Sequence, residues 1–102
     1  MSSKVSETAS QAVATAGVRL YAGLNDYLPA DLRFITFPLP LAEPATVASV
    51  LKETGVPASE VALVLKNGMP VGFSDPVAEG DRVSIYPSFE SLDIGDLQIL
   101  QP

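Results

Sequence analysis

Five side chains stand out as recognition chemistry: Arg19, Tyr21, Arg82, Ser84 and Tyr86. Each group alternates with apolar residues, so a strand over 17–22 and another over 82–87 would each present its members on one face. If the two strands are parallel neighbours, all five cluster on the sheet face opposite a helix. That face would gather two of the six basic residues and two of the three tyrosines. Arg and Tyr combine apolar area with directional hydrogen bonds, which suits protein docking. An ordinary solvated sheet face accounts for the same residue types.

The remaining polar groups carry less chemistry. Glu90, Asp93 and Asp96 are spaced by three, but no Asp-x-Asp-x-Asp-Gly loop accompanies them. They read as a solvated acidic tail, and no metal site is expected. Asp26 and Asp31 share one loop without an orienting histidine or a nucleophile, so turn formation is their reading. Gly72, Gly80 and Gly95 form no phosphate-binding pattern and read as turn or bulge positions. With no Cys and no His, the chain cannot build a Cys/His zinc site, a Ser-His-Asp triad or a thiol nucleophile. No catalysis and no cofactor are expected.

These residues must be positioned by one small domain, because 102 residues with 47% hydrophobic content support a single core. Residues 1–16 hold no apolar run of signal-peptide length, and no stretch of about 18 apolar residues exists to cross a membrane. The cytoplasm is the expected compartment. A net charge of −6 argues against a surface that tracks phosphates, so nucleic acid is not the expected partner.

Along the chain, Met1 to Ala16 is small and polar and reads as a mobile leader. Gly17 to Ala22 alternates as a half-buried strand, with Val18, Leu20 and Ala22 opposite Arg19 and Tyr21. Gly23 to Arg33 mixes turn formers with Leu24, Tyr27, Leu28 and Leu32, a connection that packs on itself. Phe34 to Leu41 resumes alternation with Ile35, Phe37, Leu39 and Leu41 inward, while Pro38 and Pro40 consign it to a sheet edge. Thr46 can then cap a short helix whose stripe is Val47, Val50 and Leu51, ended by Gly55 and Pro57. Val61 to Lys66 is a third strand with Leu63 and Leu65 inward. Asn67-Gly68 predicts a type I′ hairpin into Met69 to Val71, where Pro70 marks an edge. Gly80-Asp81 opens the last strand, whose Val83 and Ile85 complete the core.

That order permits an α+β fold, a β-grasp in which a mixed sheet of four to five strands carries one main helix on one face, with its first and last strands parallel at the centre. The stretch Val61 to Pro87 resembles the closing half of a ubiquitin-like domain, as in the sulfur-carrier proteins of thiamine and molybdopterin synthesis. Nearly the whole chain beyond the leader is similar to the ubiquitin-like domain fused to the Mut-seven C-terminal, PIN-like ribonuclease domain of bacterial proteins. The likeness is carried by Leu24-Asn25-Asp26-Tyr27-Leu28-Pro29, Asn67-Gly68 with Pro70-Val71, Gly80-Asp81-Arg82-Val83-Ser84 with Tyr86-Pro87, and Phe89-Glu90-Ser91-Leu92-Asp93-Ile94. It implies a domain over 17–88, a tail over 89–102 and a ribonuclease-type protein partner, here encoded separately because the chain stops where the nuclease would follow. The carriers work through a C-terminal Gly-Gly. This chain ends Leu100-Gln101-Pro102 and holds no Gly-Gly pair.

The tail itself carries Phe89, Leu92, Ile94, Leu97, Ile99 and Leu100 among its three carboxylates. So many large apolar side chains call for a cover, supplied by the domain, a second copy or a partner. The expected binding residues are therefore Arg19, Tyr21, Arg82, Ser84 and Tyr86 with Phe89, Leu92 and Ile94. Three functions follow: a non-catalytic ubiquitin-like interaction module, which is favoured; a sulfur carrier or protein modifier; and an RNA-binding accessory that uses Arg19, Arg82 and the tyrosines as a stacking surface. The oligomeric state is not legible.

Overall fold

The computed structural model describes residues 13–88. Its main sheet contains β1 (Val13–Leu20), β2 (Phe37–Ala42), β4 (Val61–Lys66), β5 (Met69–Val71) and β7 (Arg82–Pro87), in the order β2-β1-β7-β4-β5. β1 and β7 are parallel, with Val18 beside Val83 and Leu20 beside Ile85; β1 with β2, β4 with β7 and β4 with β5 are antiparallel. A two-stranded ribbon joins β3 (Ala45–Thr46) to β6 (Pro76–Val77). The expected α+β architecture, with a parallel central pair, is the one observed.

The only α-helix among the described residues, α1 (Val47–Thr54), is short and held at both ends. Thr46 and Ser49 form a capping box, each side chain meeting the other's backbone N–H. The Val47 and Ala48 N–H groups donate to the Asp75 and Phe73 carbonyls, so the first turn leaves few donors open. Gly55, at φ 84°, ends the helix and returns its N–H to the Leu51 carbonyl. The stripe Val47, Val50 and Leu51 then meets Val18, Leu20, Phe37, Leu41, Val64, Val83 and Ile85 in one core.

Four sequence expectations shift. First, β1 begins at Val13, so residues 13–16 belong to the sheet and not to a leader ending at Ala16. They pair with β2 from Val13 opposite Ala42 onward, and Ala14 and Ala16 are buried. Alanines supply too little hydrophobic signal to betray a strand. Second, that strand closes at Leu20; Ala22 has left it and opens a 3-10 turn at φ 52°.

Third, the second strand starts at Phe37, and Phe34 and Ile35 are exposed, at 63% and 46%. Phe34 sits at φ 63° with its N–H given to the Asn25 side chain, so this stretch is a turn. Fourth, Leu63 and Leu65 do not point into the core, where Val64 is buried instead. The run Val-Ala-Leu-Val-Leu has no alternation to choose a face, and an irregularity in pairing between Val61 and Leu63 sets the register.

The rest of the frame follows the residue types. Asn67 and Gly68 both take positive φ, 53° and 87°, as a type I′ turn demands. Leu24 and Leu28 bury themselves from the 3-10 turn Ala22–Tyr27 and its exit. Asn25 beneath them is almost wholly buried; its amide donates to the Leu20 and Ala22 carbonyls while its oxygen accepts from Phe34. β2 forms one margin of the sheet, where Pro38 and Pro40 deprive its outer side of N–H donors.

Candidate functional site

In a parallel pair the residues flanking Val18, Leu20, Val83 and Ile85 must leave the core on the other side of the sheet. Arg19, Tyr21, Ser84 and Tyr86 are accordingly half-buried, and Arg82 is exposed. Arg19 lies beside Ser84 in the pairing. Tyr21 and Tyr86 stack, with ring centroids 4.2 Å apart and planes inclined by 13°. The Arg19 guanidinium carbon sits 5.2 Å from the Tyr21 ring centroid, a cation–π arrangement.

The site is thus a layered stack of guanidinium, phenol and phenol across the two central strands. The β1/β7 frame beneath it is rigid, because the Tyr21 N–H donates to the Ile85 carbonyl and the Gly17 N–H to the Asp81 carbonyl. A hydrogen bond between the tyrosine hydroxyls raises the Tyr86 pKa above that of an ordinary phenol; partial burial adds to the effect, and the nearby Arg19 charge opposes it. The Arg19 Nε is buried and meets no hydrogen-bond acceptor.

The open face is wider than the sequence suggested. Leu63 lies opposite Tyr86 and Leu65 opposite Ser84 in the β4–β7 pairing, so both leucines join the tyrosines on this side. Pro70, paired with Leu65, extends the same row, and Pro38 and Pro40 flank it beyond β1. None of these strand positions is acidic, although the whole chain carries a net charge of −6. Leu63 also borders a hollow of about 170 Å³ at the β4/β5 edge, whose other walls are Val61, Ala62, Val64, Val71, Gly72 and Phe73.

Of the residues expected to bind, Arg19, Tyr21 and Tyr86 come into direct contact, Ser84 adjoins them, and Arg82 stands further down the same strand. Phe89, Leu92 and Ile94, like Glu90, Asp93 and Asp96, lie outside the described residues. Asp26 and Asp31 belong to separate turns, and among the described residues no three acidic side chains converge as metal ligands. No helix among those residues is long and apolar enough to cross a membrane. Sequence reasoning missed Leu63 and Leu65, and the signal that could have found them was the presence of Val64 as a third candidate for the inward position.

Residues 13–93 match the family model described as Mut7-C ubiquitin. No curated protein matches the chain. Among solved structures, the solution structure of the Haloferax volcanii HVO 2177 protein is similar at 24% identity and a TM-score of 0.57, covering 74% of this chain and 83% of that one. The crystal structure of H. volcanii small archaeal modifier protein 1 is similar at 22% identity and a TM-score of 0.57, over 72% of this chain and 97% of that one. A second crystal structure, of SAMP1 from Haloferax volcanii, gives 21% identity, a TM-score of 0.56 and coverage of 72% and 94%. At these identities the likeness is one of fold.

Proposed function

The chain belongs to the Mut7-C ubiquitin family, and on that footing we propose that it is a cytoplasmic, non-catalytic protein-interaction module that docks a partner through its open sheet face. The observation that carries this reading is the Arg19–Tyr21–Tyr86 stack set among Leu63 and Leu65 with no acidic strand position beside it. A merely solvated face has no need of stacked aromatic rings joined to leucines. Such a surface offers rigid apolar area with directional donors, the combination that dominates binding energy at protein interfaces. The family association makes a ribonuclease-type protein the partner class to test first. Affinity capture on the full chain from native lysate, with mass spectrometry of protein and bound RNA, separates docking from RNA binding: the module reading expects a stoichiometric protein and no RNA.

The carrier reading is the second one, favoured by the fold likeness to a protein named as a small modifier. It requires a Gly-Gly terminus for adenylation, and none of the seven glycines in the 102 residues is followed by another. Incubation with ATP and a ubiquitin-activating-type sulfur-transfer enzyme should therefore give no adenylate and no thiocarboxylate mass shift.

A further inference from the structure

We propose that Asn67 is a covalent modification site: with Gly68 it makes a succinimide-forming pair that the folded hairpin holds unreactive and that converts to aspartate or isoaspartate when the hairpin tip opens. The modification stands apart from partner docking, since it lies at the turn between β4 and β5 and needs only water as co-reactant.

The chemistry follows from the two residues. Asn67 and Gly68 are both exposed at the turn. The Gly68 backbone nitrogen, on losing its proton to solvent hydroxide, attacks the Asn67 side-chain carbonyl carbon. A C–N bond forms, the Cγ–Nδ2 bond breaks, and ammonia leaves with a proton taken from water. Water then opens the cyclic imide at either carbonyl, so the net exchange is amide plus water for carboxylic acid plus ammonia. Glycine hinders this attack least, because it carries no Cβ. Asn25, in contrast, is buried and precedes Asp26.

The restraint follows from the geometry. Positive φ values of 53° at Asn67 and 87° at Gly68 set a type I′ turn, in which ψ of the first residue is about +30°. Ring closure requires the Gly68 nitrogen to swing into line with the Asn67 Cα–Cβ bond, a large rotation away from that value. The side chain is pinned as well. Its Nδ2 donates to the Asp81 carboxylate at 2.9 Å, its Oδ1 accepts from the Arg82 N–H at 2.9 Å, and the Asn67 N–H donates to the Arg82 carbonyl at 2.8 Å. Asp81 is itself fixed by the Ala78 N–H at 2.8 Å. Attack therefore waits on a local opening that breaks these bonds together.

The product cannot restore the junction. Aspartate at this position keeps an acceptor for the Arg82 N–H but loses the donor to Asp81, and it sets two carboxylates side by side where an amide met one. Isoaspartate adds a backbone methylene to a two-residue turn whose length fixes the register. Either product unties the hairpin turn from β7, so opening is recorded covalently.

The test follows the full-length wild type, Asp81→Ala and Gly68→Ala by intact mass and peptide mapping in mildly alkaline buffer, folded and in urea at the same pH. Asn67 should convert at least about ten-fold more slowly in the folded wild type than in urea, with Asn25 unchanged in the folded protein. Folded Asp81→Ala should convert about ten-fold faster than the folded wild type. In urea, where φ is free, Gly68→Ala should slow conversion by crowding the nucleophile. Equal rates in the folded and unfolded wild type overturn the inference. Conversion of folded Asp81→Ala no faster than the wild type also overturns it, because the carboxylate then does not restrain the amide. An unchanged rate for Gly68→Ala in urea does the same, since the nucleophile is then water itself. Should Asp81→Ala fail to fold, Asp81→Asn, which keeps an acceptor without the charge, takes its place, with faster conversion than the wild type expected and an equal or slower rate contradicting the inference.

Discussion

Tyr21 and Tyr86 stack at 4.2 Å across the parallel junction of β1 and β7, the first and last strands among the described residues. The pair therefore reports on the topology as well as on the site. Face-to-face packing at this distance also holds the two hydroxyls within hydrogen-bonding reach, which is why Tyr86 ionises later than a free phenol.

That relationship sets a pH response. The folded state favours neutral Tyr86, so its contribution to stability is intact below the ordinary phenol value of 10.0 and is lost as pH rises through the raised folded value. Tyr21→Phe removes the hydrogen-bond partner. A spectroscopic titration of the tyrosines should show the Tyr86 midpoint falling toward 10.0 in that variant, and an unchanged midpoint would place the cause elsewhere.

At the acid end the responsible group is Asp81. Its carboxylate accepts from the Ala78 backbone N–H at 2.8 Å and from the Asn67 amide at 2.9 Å, and these bonds hold its pKa below the usual 3.8 against a smaller opposing effect of burial. Asn67 completes the link by accepting from the Arg82 N–H, tying the β4–β5 hairpin turn to the start of β7. The stabilisation is present above the unfolded value near 3.8 and disappears as pH falls through the lowered folded value. Urea midpoints measured across this range should fall for the wild-type chain and change less for Asp81→Asn, which starts less stable.

Asn25 anchors the connection between β1 and β2. Asn25→Ala strips a buried donor pair from the Leu20 and Ala22 carbonyls and the acceptor from Phe34. The expected loss is about 1–3 kcal/mol. Hydrogen exchange should show it first at the Phe34 amide, with β1 and β7 following only at global unfolding. A loss under about 0.5 kcal/mol would mean that water or a rearranged backbone replaces the amide.

The contrast between what was legible in the sequence and what was not has physical causes. Arg19, Tyr21, Ser84 and Tyr86 could be placed on one face because Val18, Leu20, Val83 and Ile85 alternate with them without interruption. Thr46 and Gly55 announced the helix ends through capping chemistry that depends on neighbours alone, whereas the part Ser49 takes in the capping box came from the structure. Leu63 and Leu65 could not be placed, since five consecutive apolar residues permit either register and the partner strand decides. Ala14 and Ala16 hid four residues of β1, and Phe34 mimicked a strand position although a long-range bond to Asn25 turns it outward. Asn25 was visible only as part of a family motif; its buried hydrogen bonds exist in three dimensions alone. Phe89, Leu92 and Ile94 lie outside the described residues, and their part in binding is a proposal.

The central claim is that the open face docks a protein, and affinity measured against the partner recovered by capture tests it most directly. Tyr86→Ala removes half of the aromatic stack, and Arg82→Glu reverses a charge on the exposed end of the same strand face. Lys52→Glu, on the solvent side of α1, is the control. Truncating a central aromatic anchor typically costs about 2 kcal/mol or more, roughly a thirty-fold loss in affinity. The account predicts a loss of that order for Tyr86→Ala and a clear weakening for Arg82→Glu, both with wild-type amide spectra, and no change for Lys52→Glu. Wild-type affinity in both sheet-face variants would contradict it and leave the face merely solvated.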